Sequence, residues 1–254
     1  SVNPGGLAAS TRTVPTDGAD LNRCFPGRAG GSAGDRLAWA LWTELGRIGP
    51  DAVLDLHSDS AAAVPYAIVD RPVAVSRAQR PALEAALLDL ATASGLTVLQ
   101  EYPDDQYRRY GLDRSLAGAV VNSLGIPAVT VEVGPRRSVA PDAVQAMVDA
   151  VLGMLGHLGV VQAATVVHPT RVDDGPWRRS GTPRCRASGV FVPTMPPGSL
   201  FREGQALGAV RGIDGGVEET LLAPHDGVVI SWLDTAWVTP GTVVGTLAVH
   251  DGEA

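Results

Sequence analysis

Three groups of residues in this chain have the types and settings for hydrolytic chemistry. His57 ends the apolar run Ala52 to His57, and Glu132 sits among Val129, Val131 and Val133. An imidazole can hold a metal ion or carry a proton. A carboxylate amid β-branched residues is costly to bury as a charge, and burial raises proton affinity toward that of a general base. Glu132 is therefore the candidate general base and His57 the candidate metal ligand; the competing readings are a carboxylate neutralised by a buried arginine and a satisfied core histidine. Asp55 lies two residues before His57, on the same face of an extended strand, where it can orient a ligating imidazole. The third group is Arg12, Asn22 and Arg23, in and before the run Asp17-Gly-Ala-Asp-Leu-Asn-Arg-Cys-Phe-Pro-Gly27. An Asn-Arg pair in a loop offers a fork of donors suited to a carboxylate, although Asp17-Gly18 and Pro26-Gly27 are also ordinary turn chemistry.

These residues need elements that aim them at one place. From Ser32 to Ile48, Leu37, Leu41, Trp42, Leu45 and Ile48 recur at helical spacing, with Ser32 and Asp35 available for capping. Ala52 to His57 reads as a short buried strand, Val64 to Val69 as another, and Pro81 to Ser94 as a helix stopped by Gly95. Leu96 to Leu99 is strand-like, Leu112 to Leu124 helical with Gly125 behind it, and Pro127 to Val133 a strand apolar on both faces. Pro141 opens a last helix reaching about Leu158. Strands alternating with helices predict an α/β fold with a mainly parallel mixed sheet flanked by helices. In such sheets ligands bind beyond the carboxyl ends of the strands, which directs His57 and Glu132 to one crevice.

The pattern changes near Gln162, after which short β-rich runs with frequent Gly and Pro replace helical periodicity. Within this part Phe201, Gly204, Leu207, Gly208 and Val210 match Val238, Gly241, Val244, Gly245 and Leu247 at one constant offset. Two such units facing each other predict a smaller C-terminal all-β, barrel-like domain. The expected organisation is residues 1–165 as the α/β domain, N-terminally incomplete, and residues 166–254 as the β domain, with the boundary between Val160 and Thr170.

Composition excludes several functions. All 20 basic residues are arginine, so Schiff-base catalysis, a P-loop lysine and a lysine-borne lipoyl or biotinyl group are ruled out. With a net charge of -7, no basic stripe is available for nucleic acid. Cys24 and Cys185 give neither a disulfide framework nor zinc-finger spacing, which places the chain in a reducing cytoplasm. No apolar run is long enough for a membrane span, and no signal peptide is visible. The expected partner is a small-molecule substrate, with no nucleic acid, no membrane and a possible homo-oligomer.

Taken in order, Arg12, Asp20-Leu-Asn-Arg-Cys-Phe-Pro-Gly27, Asp55-Leu-His-Ser58 and Thr130-Val-Glu-Val-Gly134 resemble the motifs of the succinylglutamate desuccinylase/aspartoacylase family, among the zinc carboxypeptidase-like hydrolases. The resemblance covers roughly residues 3 to 135, and the β-rich tail fits the family's C-terminal domain. It implies a zinc-dependent amidohydrolase acting on a small N-acyl amino acid or related carboxylate-bearing amide, bonds other than peptide bonds. His57 becomes the third zinc ligand and Glu132 the base that activates water. Arg12 polarises the amide carbonyl, and Asn22 and Arg23 bind the substrate carboxylate. The family's first two zinc ligands come from a His-x-x-Glu motif upstream of the segment that begins here with Asn3-Pro4, and the chain has no such segment. His250-Asp-Gly-Glu253 has that spacing but lies at the extreme C-terminus and is not assigned to the metal; His157, His168 and His225 have no partner pattern. The chain alone is thus expected to hold zinc weakly and to be inactive without the missing segment. Alternatives are a zinc carboxypeptidase or peptide amidase, and a metal-free carboxylate-binding protein on the same scaffold.

Overall fold

Local signals set the helix ends. Ser32 Oγ accepts from Asp35 N at 3.2 Å while Asp35 Oδ2 accepts from Ser32 N, a capping box that starts the helix Ala33–Ile48. Gly49, left-handed at φ 61°, ends it. Asp35 also takes Arg28 Nη2 at 2.8 Å, and that bond, with the Ser32 amide, holds its carboxyl below the usual range.

The computed structural model describes residues 2–173 and 175–250. Its helices are α1 (Pro4–Ala8), α2 (Ala33–Ile48), α3 (Arg80–Thr92), α4 (Asp104–Arg109), α5 (Leu116–Ala119) and α6 (Pro141–His157). The strands are β1 (Val53–Ser58), β2 (Ala62–Ala63), β3 (Tyr66–Val69), β4 (Thr97–Gln100), β5 (Ala128–Val133), β6 (Trp177–Ser180) and β7 (Gly189–Pro193). They continue with β8 (Leu200–Phe201), β9 (Ala206–Arg211), β10 (Val217–Leu222), β11 (Gly227–Trp232), β12 (Trp237–Val238) and β13 (Gly245–His250). The chain divides into two units, one of Ser1–Asp55, Val69–Asp89 and Pro103–Thr130, the other of Leu56–Ile68, Leu90–Tyr102 and Val131–Ala254.

In the first unit Val14, Leu21, Phe25, Ala38 and Ala119 make one buried cluster, which anchors the Gly-rich loop before α2 through two of its own side chains, Leu21 and Phe25. The helix expected over Leu112 to Leu124 is broken here. A 3-10 turn at Leu112–Arg114 gives way to α5, capped by Ser115 Oγ on Gly118 N at 2.9 Å, and then to a π-helical turn at Val120–Leu124. Asn122 explains the last step: its Nδ2 donates to Gly118 O at 2.9 Å and Arg71 O at 3.0 Å, and its Oδ1 accepts from Ala74 N. A side chain that takes the carbonyl four residues back competes with the helix ladder.

The second unit holds most of a nine-stranded mixed sheet, in the order β1-β5-β3-β4-β6-β13-β11-β2 with β8 on β11, and a separate antiparallel sheet ordered β10-β9-β7-β12. β4 and β6 run parallel, whereas β6, β13, β11, β2 and β8 pair antiparallel. The expected sheet is thus present, but strands from the C-terminal part extend it, so its far half is antiparallel. No helix among the described residues is long and apolar enough to cross a membrane.

The internal repeat is structural. β8 and β12 are equivalent, as are the left-handed glycines Gly204 (φ 75°) and Gly241 (φ 91°) that turn the chain toward β9 and β13. Phe201, Leu207 and Val210 from one copy share a buried cluster with Val238, Val244 and Leu247 from the other, yet β9 lies in the small sheet and β13 in the large one. We expect Leu207→Ala and Leu247→Ala each to cost about 2 to 5 kcal/mol of stability. Because both side chains face one cluster, the double variant should depart from additivity in urea titrations; strictly additive losses would separate the two copies.

Candidate active site

The loop between α1 and α2 is tied down by its own acids. Asp17 Oδ2 accepts from Gly34 N at 2.8 Å and Oδ1 from Ala19 N at 3.0 Å, and these amides keep its carboxyl below the ordinary range. Asp20 Oδ1 caps the 3-10 turn Leu21–Arg23 by accepting from Asn22 N at 3.1 Å. Its Oδ2 receives Arg12 Nε and Nη2, both at 3.1 Å. Arg12 is exposed, and an exposed pair of this kind is worth roughly 0 to 1 kcal/mol, so the guanidinium can change partners at small cost.

Asn22 and Arg23 are brought together and oriented by backbone groups distant in sequence. Asn22 Oδ1 accepts from Leu116 N at 2.7 Å, at the start of α5, which fixes the orientation of the amide. Arg23 Nε donates to Tyr110 O at 2.9 Å and Nη1 to Asn22 O at 2.6 Å, which fixes the guanidinium plane. Neighbouring Cys24 gives its thiol to Asp20 O at 3.3 Å, and burial, reinforced by the Asp35, Asp17 and Asp20 charges, pushes that thiol's pKa up. Cys24 is therefore a poor thiolate nucleophile.

His57 and Glu132 lie on adjacent strands of the large sheet. Val53 N donates to Pro127 O at 3.0 Å and Asp59 N to Val133 O at 2.7 Å, the same offset at both ends. β1 and β5 are therefore parallel and without a bulge, and this register sets His57 abreast of Glu132, about 4.8 Å apart at Cα with side chains on one face. Both side chains are partly buried, Glu132 between buried Val131 and Val133. Asp55, 8% exposed, points to the same face as His57.

The same sheet carries further polar residues that the sequence pattern does not mark. Tyr66 Oη donates to Asp59 Oδ2 at 3.0 Å, and Asp59 Oδ1 accepts from Ser60 N at 2.7 Å. Burial, then the Glu132 and Asp59 charges, raise the phenol's pKa well above its ordinary value. Arg179 on β6 donates Nη1 to buried Glu101 at 2.9 Å and lies over the Tyr102 ring, 4.9 Å from its centroid. Burial disfavours its charge, but Glu101, Tyr102 and Tyr66 together more than offset this, so its pKa stands above the ordinary value. The available signal was the position of Asp59 directly after Asp55-Leu-His-Ser58, and of two arginines inside the strand Trp177-Arg-Arg-Ser180.

A zinc site needs about three protein ligands. Among the described residues no three His, Cys, Asp or Glu side chains are grouped to hold a metal ion, so the described residues do not make one by themselves. His250 stacks on Trp177, centroids 4.4 Å apart, while Asp251, Gly252 and Glu253 of the His-x-x-Glu match lie outside the described residues.

The family model of the succinylglutamate desuccinylase/aspartoacylase catalytic domain matches residues 1–158. No curated protein matches the chain. Among solved structures, a succinylglutamate desuccinylase/aspartoacylase from Rhodobacter sphaeroides is 23% identical with a TM-score of 0.78, covering 100% of this chain and 74% of that one. The product-bound ectoine utilization protein EutE (DoeB) from Ruegeria pomeroyi is 22% identical with a TM-score of 0.77, covering 98% and 73%. An aspartoacylase family protein from Mesorhizobium loti is 21% identical with a TM-score of 0.75, covering 97% and 72%. These likenesses establish the fold, and with a family model spanning more than half its length the chain belongs to the succinylglutamate desuccinylase/aspartoacylase family of hydrolases.

Proposed function

We propose that the chain carries the water-activating and carboxylate-binding parts of a deacylase that hydrolyses the amide bond of a small N-acyl amino acid or related carboxylate-bearing amide. The observation that supports it most is the register of β1 and β5, which sets His57 beside Glu132 on one sheet face. Glu132 takes a proton from the attacking water and returns it to the leaving amine. Arg12, held by an exposed pair with Asp20, stabilises the oxyanion. Asn22 and Arg23 bind the carboxylate through donors whose directions are fixed by Leu116 N and Tyr110 O. His57 is one ligand of a zinc ion that, when bound, polarises the water and the carbonyl. Further ligands come from outside the described residues.

A metal-free carboxylate-binding protein is the second reading, favoured by the lack of a three-donor group among the described residues. Zinc content separates the two. One imidazole leaves most of the coordination sphere to water, so we expect dialysed 254-residue chain to retain far less than one zinc, and a chain extended by a segment supplying a His-x-x-Glu pair to retain one. Tightly held stoichiometric zinc in the unextended chain would show that other residues complete the site; none in the extended chain would favour the binding protein.

In the zinc-loaded protein, Glu132→Gln should lower turnover on the order of 10²- to 10⁴-fold with zinc content unchanged, because the amide keeps the shape and loses the proton acceptor. Turnover within a few-fold of wild type would remove Glu132 from the chemistry. Arg23→Lys should raise KM roughly tenfold or more, the loss of one charge-assisted bond from a planar fork. Equal kinetics for the two proteins on a carboxylate substrate would make Arg23 a purely structural residue.

A further inference from the structure

Tyr66 opens β3 and Asp59 follows β1, and β5 lies between those two strands. Strands two places apart are separated by roughly 9.5 Å, twice the usual spacing. The Tyr66 and Asp59 side chains nevertheless meet, Oη to Oδ2 at 3.0 Å. They therefore cross at the end of β5, at the level of Gly134, where no side chain stands between them and two residues along the same face from Glu132, and Asp59 N is itself bonded to Val133 O at 2.7 Å. Tyr66 is 2% exposed, so this crossing is packed rather than solvated. Asp59 follows Asp55 and His57 at the two-residue period of β1, which places the crossing on the face where His57 and Glu132 stand. The charges of Glu132 and Asp59 both act on the buried phenol.

We propose that Tyr66, fastened by its hydroxyl to Asp59, is a positioning residue for Glu132: its ring forms the wall that holds the carboxylate facing His57. The single phenolic proton goes to Asp59, so toward Glu132 the group supplies contact and exclusion of water, not a competing donor. This rests on Glu132 being the base. The bond between Tyr66 and Asp59 can be cut from either end while each side chain keeps its shape, by Tyr66→Phe or Asp59→Asn.

In the zinc-loaded extended protein each variant is expected to lower kcat roughly tenfold or more, since a base displaced by a fraction of an ångström loses its line to the water, with KM within twofold. Added to Glu132→Gln, Tyr66→Phe should cause no further loss, because the wall then supports nothing. A second readout needs no turnover: the side-chain carboxyl 13C signal of Glu132, assigned by its absence in Glu132→Gln, should move in Tyr66→Phe and in Asp59→Asn. An unmoved Glu132 signal, or a Tyr66→Phe protein with wild-type kcat, overturns the proposal. Glu132→Gln at wild-type rate would instead sink the role of Glu132 itself, whatever Tyr66 does to its signal.

Discussion

The register between β1 and β5 is the constraint on which the rest depends. Two backbone bonds, Val53 to Pro127 and Asp59 to Val133, fix it at both ends. A slip of one residue would turn Glu132 to the opposite face and bring Val131 or Val133 beside His57. That slip is opposed by the strand itself: Val129, Val131 and Val133 are buried on one side, and Thr130 and Glu132 are only partly buried on the other. Sorting of valines to a dry face thus does double duty, stabilising the sheet through burial and aiming a carboxylate.

The carboxylate-binding loop solves a different problem, since it has no strand to hold it. Leu21 and Phe25 sink into the core, while Asp17 and Asp20 satisfy backbone amides. Asn22 and Arg23 are left between these anchors and take their directions from Leu116 N and Tyr110 O. The broken helical segment after Gly111 supplies one of those partners. If Leu112 to Leu124 formed one regular helix, Leu116 N would lie inside it and be taken by the ladder; because Ser115 restarts the helix, that amide is available to Asn22.

Much of this was legible in the residues. The capping box at Ser32 and Asp35, the strand ending at His57 and the valine-rich strand around Glu132 are local patterns, and they fold as their periodicity says. The single helix expected over Leu112 to Leu124 does not form because the competing bonds of Asn122 reach Arg71 and Ala74, far back in the chain. The antiparallel extension of the large sheet was likewise hidden, since Trp177 beside Leu99 is a pairing that no local pattern announces. Tyr66 is hidden for the same reason: inside an apolar strand it reads as core, and only the strand order carries its hydroxyl to Asp59.

The two copies of the β-unit, each with its glycine turn, put their apolar side chains into one cluster while sending their long strands to different sheets. The sheets are thereby clasped like the halves of a buckle. Neither can peel away without opening the cluster that both copies fill, so slow amide exchange in the small sheet and in the neighbouring part of the large one should share a single opening event.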